Sequence, residues 1–395
     1  MARDLDLVLF GATGFTGRLV AEYLAKAPDK PRWAIAGRNP DKLEALGLGV
    51  PVLVADAHDP EALADIARRT KVVCTTVGPY AKHGSDLVAA CVAAGTHYCD
   101  LCGELQWMRR MIDTHHEQAR ETGARIVHSC GFDSIPSDLG VWALQQEMIA
   151  AFGKPASKIT GLFGESSGGL SGGTIASGLE TAREGFASRQ VRELLANPYA
   201  LDPDPYAERP RVRDETSIRW EKHLKMFTVP FLMAPLNTRI VRRAHALAGF
   251  PWGEDFVYRE VMSTPGSPRG LAMAVGITGG LAAIAFALKK PWLREQLAKR
   301  APQPGEGPSA ERRARGHWKA RFLGELGERH LLYVVGDDHG DPGYASTSKM
   351  LGESALCLAL DPLTSDGGVL TPSVAMGGAL VDRLRRAGLR FERAG

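Results

Sequence analysis

Six cysteines in 395 residues are too few for a disulfide framework. Such a chain reads as the product of a reducing compartment, so a cytoplasmic location is expected. No dense basic tract with interleaved aromatics occurs and the net charge is only +3, which argues against nucleic acid as the main partner. The polar amino terminus enters a strand pattern at once, and no signal peptide is expected. A His-Glu metal motif and a Walker loop are both missing, so no metal is expected. There is no Tyr-x-x-x-Lys pair, which disfavours short-chain dehydrogenase catalysis. Repeats and low-complexity tracts are absent, and the length exceeds one hydrophobic core, implying two or three domains.

Glycine is plentiful at 44 residues, and its most informative use is Leu7 to Gly17, "LVLFGATGFTG". Four apolar residues, Leu7 to Phe10, predict a buried parallel strand that runs into Gly11, Gly14 and Gly17 before a helical pattern begins. Gly11 permits the sharp exit, Gly14 lets backbone approach a pyrophosphate, and Gly17 lets helix pack on strand. The helix's first N–H groups then face the anion, with Thr13, Phe15 and Thr16 in the same turn.

A second strand, Trp33 to Ala36, ends in Gly37, Arg38 and Asn39. An Asp or Glu usually stands there to hold a ribose 2′-hydroxyl; a guanidinium instead suits a 2′-phosphate, with Lys42 adding charge. The expected cofactor is therefore NADP(H). A third strand, Val52 to Ala55, brings Asp56 to the adenine side, and Asp59-Pro60 reads as a helix start. A fourth, Val72 to Val77, leads into "GPYAKHG". Val77, Gly78, Pro79 and Tyr80 are expected to edge the nicotinamide, and Tyr80, Lys82 and His83 are candidate proton donors, Tyr80 first, with a packing role for Tyr80 equally open. Strands near His97 to Asp100 and Arg125 to Ser129 complete an α/β Rossmann-type doubly wound sheet. At the exit of the sixth strand, Cys130, Gly131 and Phe132 are expected at the cofactor. Asp133, a fourth catalytic candidate, and Ser134 and Ser137 either line the cleft or cap the helix that starts near Pro136. Cys99-x-x-Cys102 lacks well-spaced partners for zinc, and a core role is expected.

The ordered motifs "GATGFTG", "AGRNPDKL", "VGPYAKHG", "HYCDLCGE" and "CGFDSIPSDLG" resemble those of saccharopine dehydrogenase-like oxidoreductases. "SGGTIASGL", "PGEGPS", "DPGYASTSKMLGESALCLA" and "GGVLTPSVAMG" resemble the actinobacterial branch that includes trans-acting enoyl reductases of polyketide lipid synthesis. The resemblance spans nearly the whole chain. It implies an NADP-binding Rossmann domain (1–138), an inserted α+β domain (139–340) and a C-terminal segment returning to the Rossmann side (341–395). It also implies an NADPH-dependent enoyl reductase acting on a C=C bond of a small-molecule or carrier-bound lipid-like substrate, and leaves room for an oligomer.

Within the second domain, Ser171, Gly172, Gly173 and Thr174 open a helix and read either as a seat for a substrate anion or as a loop over the cleft. Residues 197 to 215 and 300 to 316 read as surface connections, the latter mobile. Arg219, Arg239, Arg242 and Arg243 are the cations that a saccharopine or opine-type C–N oxidoreductase would need for substrate carboxylates. Residues 271–288 carry no charge. They admit three readings: a buried helix, a peripheral contact at the inner membrane face, or a span. A membrane-associated cofactor-binding protein without turnover is the remaining alternative.

Overall fold

The computed structural model describes residues 3–167, 172–300 and 307–394. Strands β1 (Leu5–Phe10), β2 (Trp33–Gly37), β3 (Val52–Val54), β4 (Thr70–Thr75), β5 (His97–Cys99) and β6 (Arg125–Val127) alternate with helices. A second group follows: β7 (Lys158–Ser166), β8 (Arg219–Glu221), β9 (Met226–Pro230), β10 (Val257–Pro265), β11 (Trp318–Leu326) and β12 (Arg329–Asp337). Near the carboxyl end come β13 (Gly368–Leu370) and β14 (Arg390–Arg393).

The first sheet has the order β3-β2-β1-β4-β5-β6-β13 and is parallel throughout. Every residue of β1 is buried because helices cover both faces. Leu7 and Leu9 join one apolar cluster with helices Phe15–Ala25 and Thr347–Leu360. Val8 and Phe10 join the other, with helices Pro60–Arg69, Ser85–Ala94 and Leu105–Thr122. Asp59 caps Pro60–Arg69 by accepting from the N–H groups of Glu61 and Ala62, as Asp-Pro at a helix start predicts.

The second sheet is mixed, with the order β14-β12-β11-β7-β10-β9-β8. Its one parallel pairing is β7 with β10; its other pairings are antiparallel. Helices Ile135–Phe152 and Ala234–Leu247 pack beside it. A Cβ at Gly140 would sit 2.7 Å from the Phe322 ring, so glycine lets helix and sheet close. Ile135–Phe152 follows β6 after the loop 128–134 and carries the chain from the carboxyl edge of the first sheet to the second. The C-terminal segment divides between the sheets: β13 extends the first and β14 the second.

Two expectations change. The connection from residue 197 is not surface at its start: Ala200, Leu201 and Asp202 are buried, with Arg109 holding the first and last of their carbonyls and Arg243 the middle one. The 271–288 stretch is not a buried helix. Helix Pro268–Lys289 buries only Gly270 and Ala274.

Candidate functional site

The glycine turn has the geometry of an anion cradle. Gly11 takes φ +96°, where an L side chain is strained, and a Cβ there would lie 2.6 Å from Val77 Cγ2. A Cβ at Gly17 would lie 2.1 Å from the Gly11 carbonyl oxygen, so only glycine lets the helix approach the strand. At Gly14 the nearest atom to such a Cβ is 3.5 Å away; the protein's own packing does not require this glycine, which leaves its outer side for a ligand. No side chain caps the Phe15–Ala25 helix and no acid stands in its first turn, so its N-terminal N–H groups and dipole favour an anion.

Beside the glycine turn, Thr13, Arg18, Lys42, Ala45 and Leu46 line a cleft of about 330 Å³. Asn39 accepts the Lys42 N–H at 2.9 Å and starts the short helix that presents Lys42. Arg38 stands exposed at the end of β2. Among the described residues Arg18, Arg38 and Lys42 have no acidic partner; Arg18 and Lys42 line the cleft and favour an anion there, while Arg38 is not among its lining residues. Asp56 accepts the His58 N–H at 3.0 Å and faces solvent. Arg18 was not legible as part of this group, because it meets Lys42 only through the fold.

Phe15 turns from the cofactor side toward the rest of the chain. Its ring meets Tyr344 edge-on at 4.8 Å and carries the Arg313 guanidinium at 5.4 Å. The described part of the 300–316 connection therefore packs on the turn.

At the exits of β4, β5 and β6, two buried carboxylates shape the loops. Asp100 accepts from Tyr98 Oη at 2.9 Å, Cys102 N at 2.9 Å, Ser129 N at 3.0 Å and pairs with His128 Nδ1 at 2.7 Å. It thereby joins the exits of β5 and β6 and holds Ser129 at φ +62°, a non-glycine strain that occurs where surroundings over-determine it. Glu104 accepts the N–H groups of Tyr80 and Ala81, both at 2.8 Å, and the Ser177 hydroxyl at 2.9 Å. Ser177 lies on helix Gly172–Ala187; so does Glu180, which pairs with Lys82 at 3.0 Å. That helix is fastened over the Val77–Lys82 loop. Sequence reasoning missed both acids, although "HYCDLCGE" contains them. The substrate seat expected at Ser171, Gly172, Gly173 and Thr174 lies outside the described residues, save for the backbone of the last three.

Tyr80 is the packing aromatic, not a donor facing the cleft. Its phenol donates to the Thr75 carbonyl at 3.3 Å and accepts from Leu101 N at 3.1 Å. Burial, then the Asp100 charge, holds its pKa well above the ordinary value. Tyr80→Phe is expected to leave kcat within about twofold and to lower unfolding stability by about 1–3 kcal/mol through the orphaned Leu101 N–H, measured by denaturant titration. His83 shares a 3.0 Å contact with His58, and desolvation followed by the charges of His58, Lys82 and Arg38 lowers its pKa; it is neutral at pH 7. Ser134 and Ser137 neither cap nor line the cleft. Ser134 donates to Asn237 Oδ1 at 3.0 Å and Ser137 to Glu260 Oε1 at 3.2 Å, inside the second domain.

Asp133 differs from every other acid at these loops. It is half-buried, no hydrogen bond reaches its carboxylate among the described residues, and burial alone pushes its pKa up to about 6. Its neighbour Phe132 is fixed by a hydrogen bond from its N–H to Thr347 Oγ1 at 3.2 Å. The Phe132 ring lines a largely aromatic slot of about 50 Å³ with Phe163, Phe231, Met262 and Trp318, whose lining also includes Ser166 and Lys319. Phe163 stacks on Phe231 at 4.7 Å and Phe132 meets Trp318 edge-on at 4.8 Å. The slot thus lies where the second sheet meets the β6 exit. Cys130 and Gly131 form the start of the same loop, Cys130 fully buried.

The arginines considered for substrate carboxylates have structural partners. Arg239 binds Asp214 at 2.5 Å and the Asn197 carbonyl at 3.2 Å. Arg242 donates to the Pro198 carbonyl at 3.0 Å and the Tyr258 carbonyl at 3.1 Å. Arg243 donates to the Leu201 and Val369 carbonyls, both at 2.5 Å. Arg219 pairs with Glu215 at 3.0 Å on the surface. All six cysteines are buried and free.

A cradle and an unpaired cation group on a 3-2-1-4-5-6 parallel sheet, with a second sheet closing the far end, make this in class a dinucleotide-binding oxidoreductase. Residues 7–127 match the saccharopine dehydrogenase NADP-binding domain. Over 99% of its length the chain is 44% identical to a provisionally named trans-acting enoyl reductase of Mycobacterium tuberculosis, covering 97% of that protein. A trans-acting enoyl reductase of Mycobacterium ulcerans is 40% identical over 98% of this chain and 97% of its own. The chain belongs to the family of these enzymes, within the saccharopine dehydrogenase-like oxidoreductases. Saccharopine dehydrogenase (L-Glu forming) of Saccharomyces cerevisiae shares the fold: TM-score 0.53 at 14% identity, covering 98% of this chain and 99% of that one.

Proposed function

We propose that this protein is an NADPH-dependent enoyl reductase that acts in trans on a carrier-bound, lipid-like polyketide intermediate. The observation that carries the reading is a largely aromatic slot lined by Phe132, whose chain neighbour Asp133 has a carboxyl group with no hydrogen-bond partner among the described residues and a pKa raised by burial. A site for a dicarboxylate amino acid would need free cations there, and the candidate arginines are bound to backbone carbonyls and acids of the protein. The relatives' names support the same reaction.

NADP(H) fits the residues present: the turn from Gly11 to Gly17 holds a pyrophosphate, and Arg18, Arg38 and Lys42 hold a 2′-phosphate. When bound, this cofactor supplies a hydride to the carbon β to the thioester carbonyl. Asp133, protonated, delivers a proton to the α carbon. The aromatic slot, about 50 Å³, takes a short apolar group of the acceptor, and helix Gly172–Ala187 keeps the Val77–Lys82 loop in place.

The test follows NADPH absorbance with an α,β-unsaturated acyl thioester and, separately, with glutamate plus an aldehyde. Oxidation with the thioester alone is expected. Oxidation only with the amine and carbonyl pair would make the protein a C–N oxidoreductase. Tight NADPH binding with neither acceptor reduced would favour a binding protein.

A further inference from the structure

Helix Pro268–Lys289 is the largest feature that the chemistry above leaves without a task. It runs 22 residues with mean hydropathy 2.1 over its apolar window, only 6% of which is buried. Val275 is 57% exposed, Phe286 59% and Ile284 45%. At about 100° per residue, Met273 and Ile284 lie opposite Val275 and Phe286. The helix is therefore apolar on opposite sides and in contact with water on both. A protein partner would cover one side; a surrounding apolar medium covers all of them.

Charge and topology narrow the medium. Arg269 precedes the apolar run and Lys289 and Lys290 follow it, while no acid lies between Glu260 and Glu295. Trp292, 65% exposed, stands at the turn into helix Pro291–Arg300. Cations with an exposed tryptophan at the end of an apolar segment match the headgroup boundary of an anionic lipid layer. A full crossing is excluded by connectivity. Both β10 before the helix and β11 after it belong to one sheet, and the return helix, carrying Arg294 and Glu295, could not cross back.

We infer that this helical hairpin seats the enzyme in one leaflet of an anionic lipid surface. The seat adjoins the cleft. Arg294 lies 5.2 Å from the Phe186 ring centroid, and Phe186 is on helix Gly172–Ala187, the element fastened to Lys82 and Glu104. Lipid-borne acyl chains are thereby brought next to the helix fastened over the Val77–Lys82 loop. The inference names a partner for the substrate class proposed above and rests on that reading for its purpose alone; the surface stands without it.

The test is flotation of the full chain with vesicles of phosphatidylcholine, with or without about 30% phosphatidylglycerol. At least tenfold more bound protein is expected with the anionic lipid. Replacing the exposed side chains together, Val275→Ser, Phe286→Ser and Trp292→Ser, is expected to cut binding at least tenfold while circular dichroism and NADPH titration stay unchanged. Lys289→Glu with Lys290→Glu is expected to abolish the preference for phosphatidylglycerol. Failure of the native chain to float, or flotation unaffected by the triple substitution, overturns the inference. So does a dimer, seen by sedimentation, that the triple substitution dissociates while no vesicles are bound; the Gly276-x-x-x-Gly280 spacing would then mark an interface between copies. Flotation without enoyl reduction would retain the membrane seat and remove the proposed reaction.

Discussion

Asp133→Asn is expected to lower kcat with an enoyl thioester by about 10²–10⁴, the usual contribution of a positioned general acid. The amide keeps the size of the carboxyl group but holds no transferable proton. The free-enzyme pKa of about 6 fixes the sign of the pH dependence. The protonated form dominates below pH 6, so kcat/KM should be level there and fall about tenfold per unit above it. In Asp133→Asn that limb should vanish and leave a low, flat profile, with NADPH affinity unaltered. A profile unchanged by the substitution would move the proton donor elsewhere.

Arg38→Asp is expected to weaken NADPH binding by about 100-fold and leave NADH little changed. A guanidinium gives a 2′-phosphate two parallel charge-assisted hydrogen bonds, and an aspartate replaces them with repulsion. Lys42 and Arg18 limit the loss, since both line the same cleft. Removing Arg18 as well should therefore deepen it. Arg38 is exposed on the end of β2, so the fold should tolerate the change; cofactor fluorescence measures both constants.

The glycine turn and the Asp-Pro helix start were legible in the sequence because each acts within a few residues of itself. Gly17 is dictated by a carbonyl six positions away, and the strand-to-helix pattern around it is local. The roles of Tyr80, Ser134 and the arginines were not legible, because burial and long-range partners decided them. Tyr80 is neutralised as a donor by Leu101 and Thr75, and Arg243 is held by Leu201 and Val369, 126 positions away for the latter. Asp100 and Glu104 looked like two acids in a motif, yet they organise loops whose donors lie up to 29 and 73 positions off. The helix from Pro268 had the composition of a core helix, and only the tertiary arrangement left it exposed.

The account rests on a nucleotide cradle whose adenosine end is shaped for a second phosphate. Titrating the native chain with NADPH and with NADH, and following nicotinamide fluorescence, tests that most directly. The account predicts binding at least about 30-fold tighter for NADPH, equivalent to about 2 kcal/mol from the phosphate contacts. Equal affinities, or tighter binding of NADH, would contradict it.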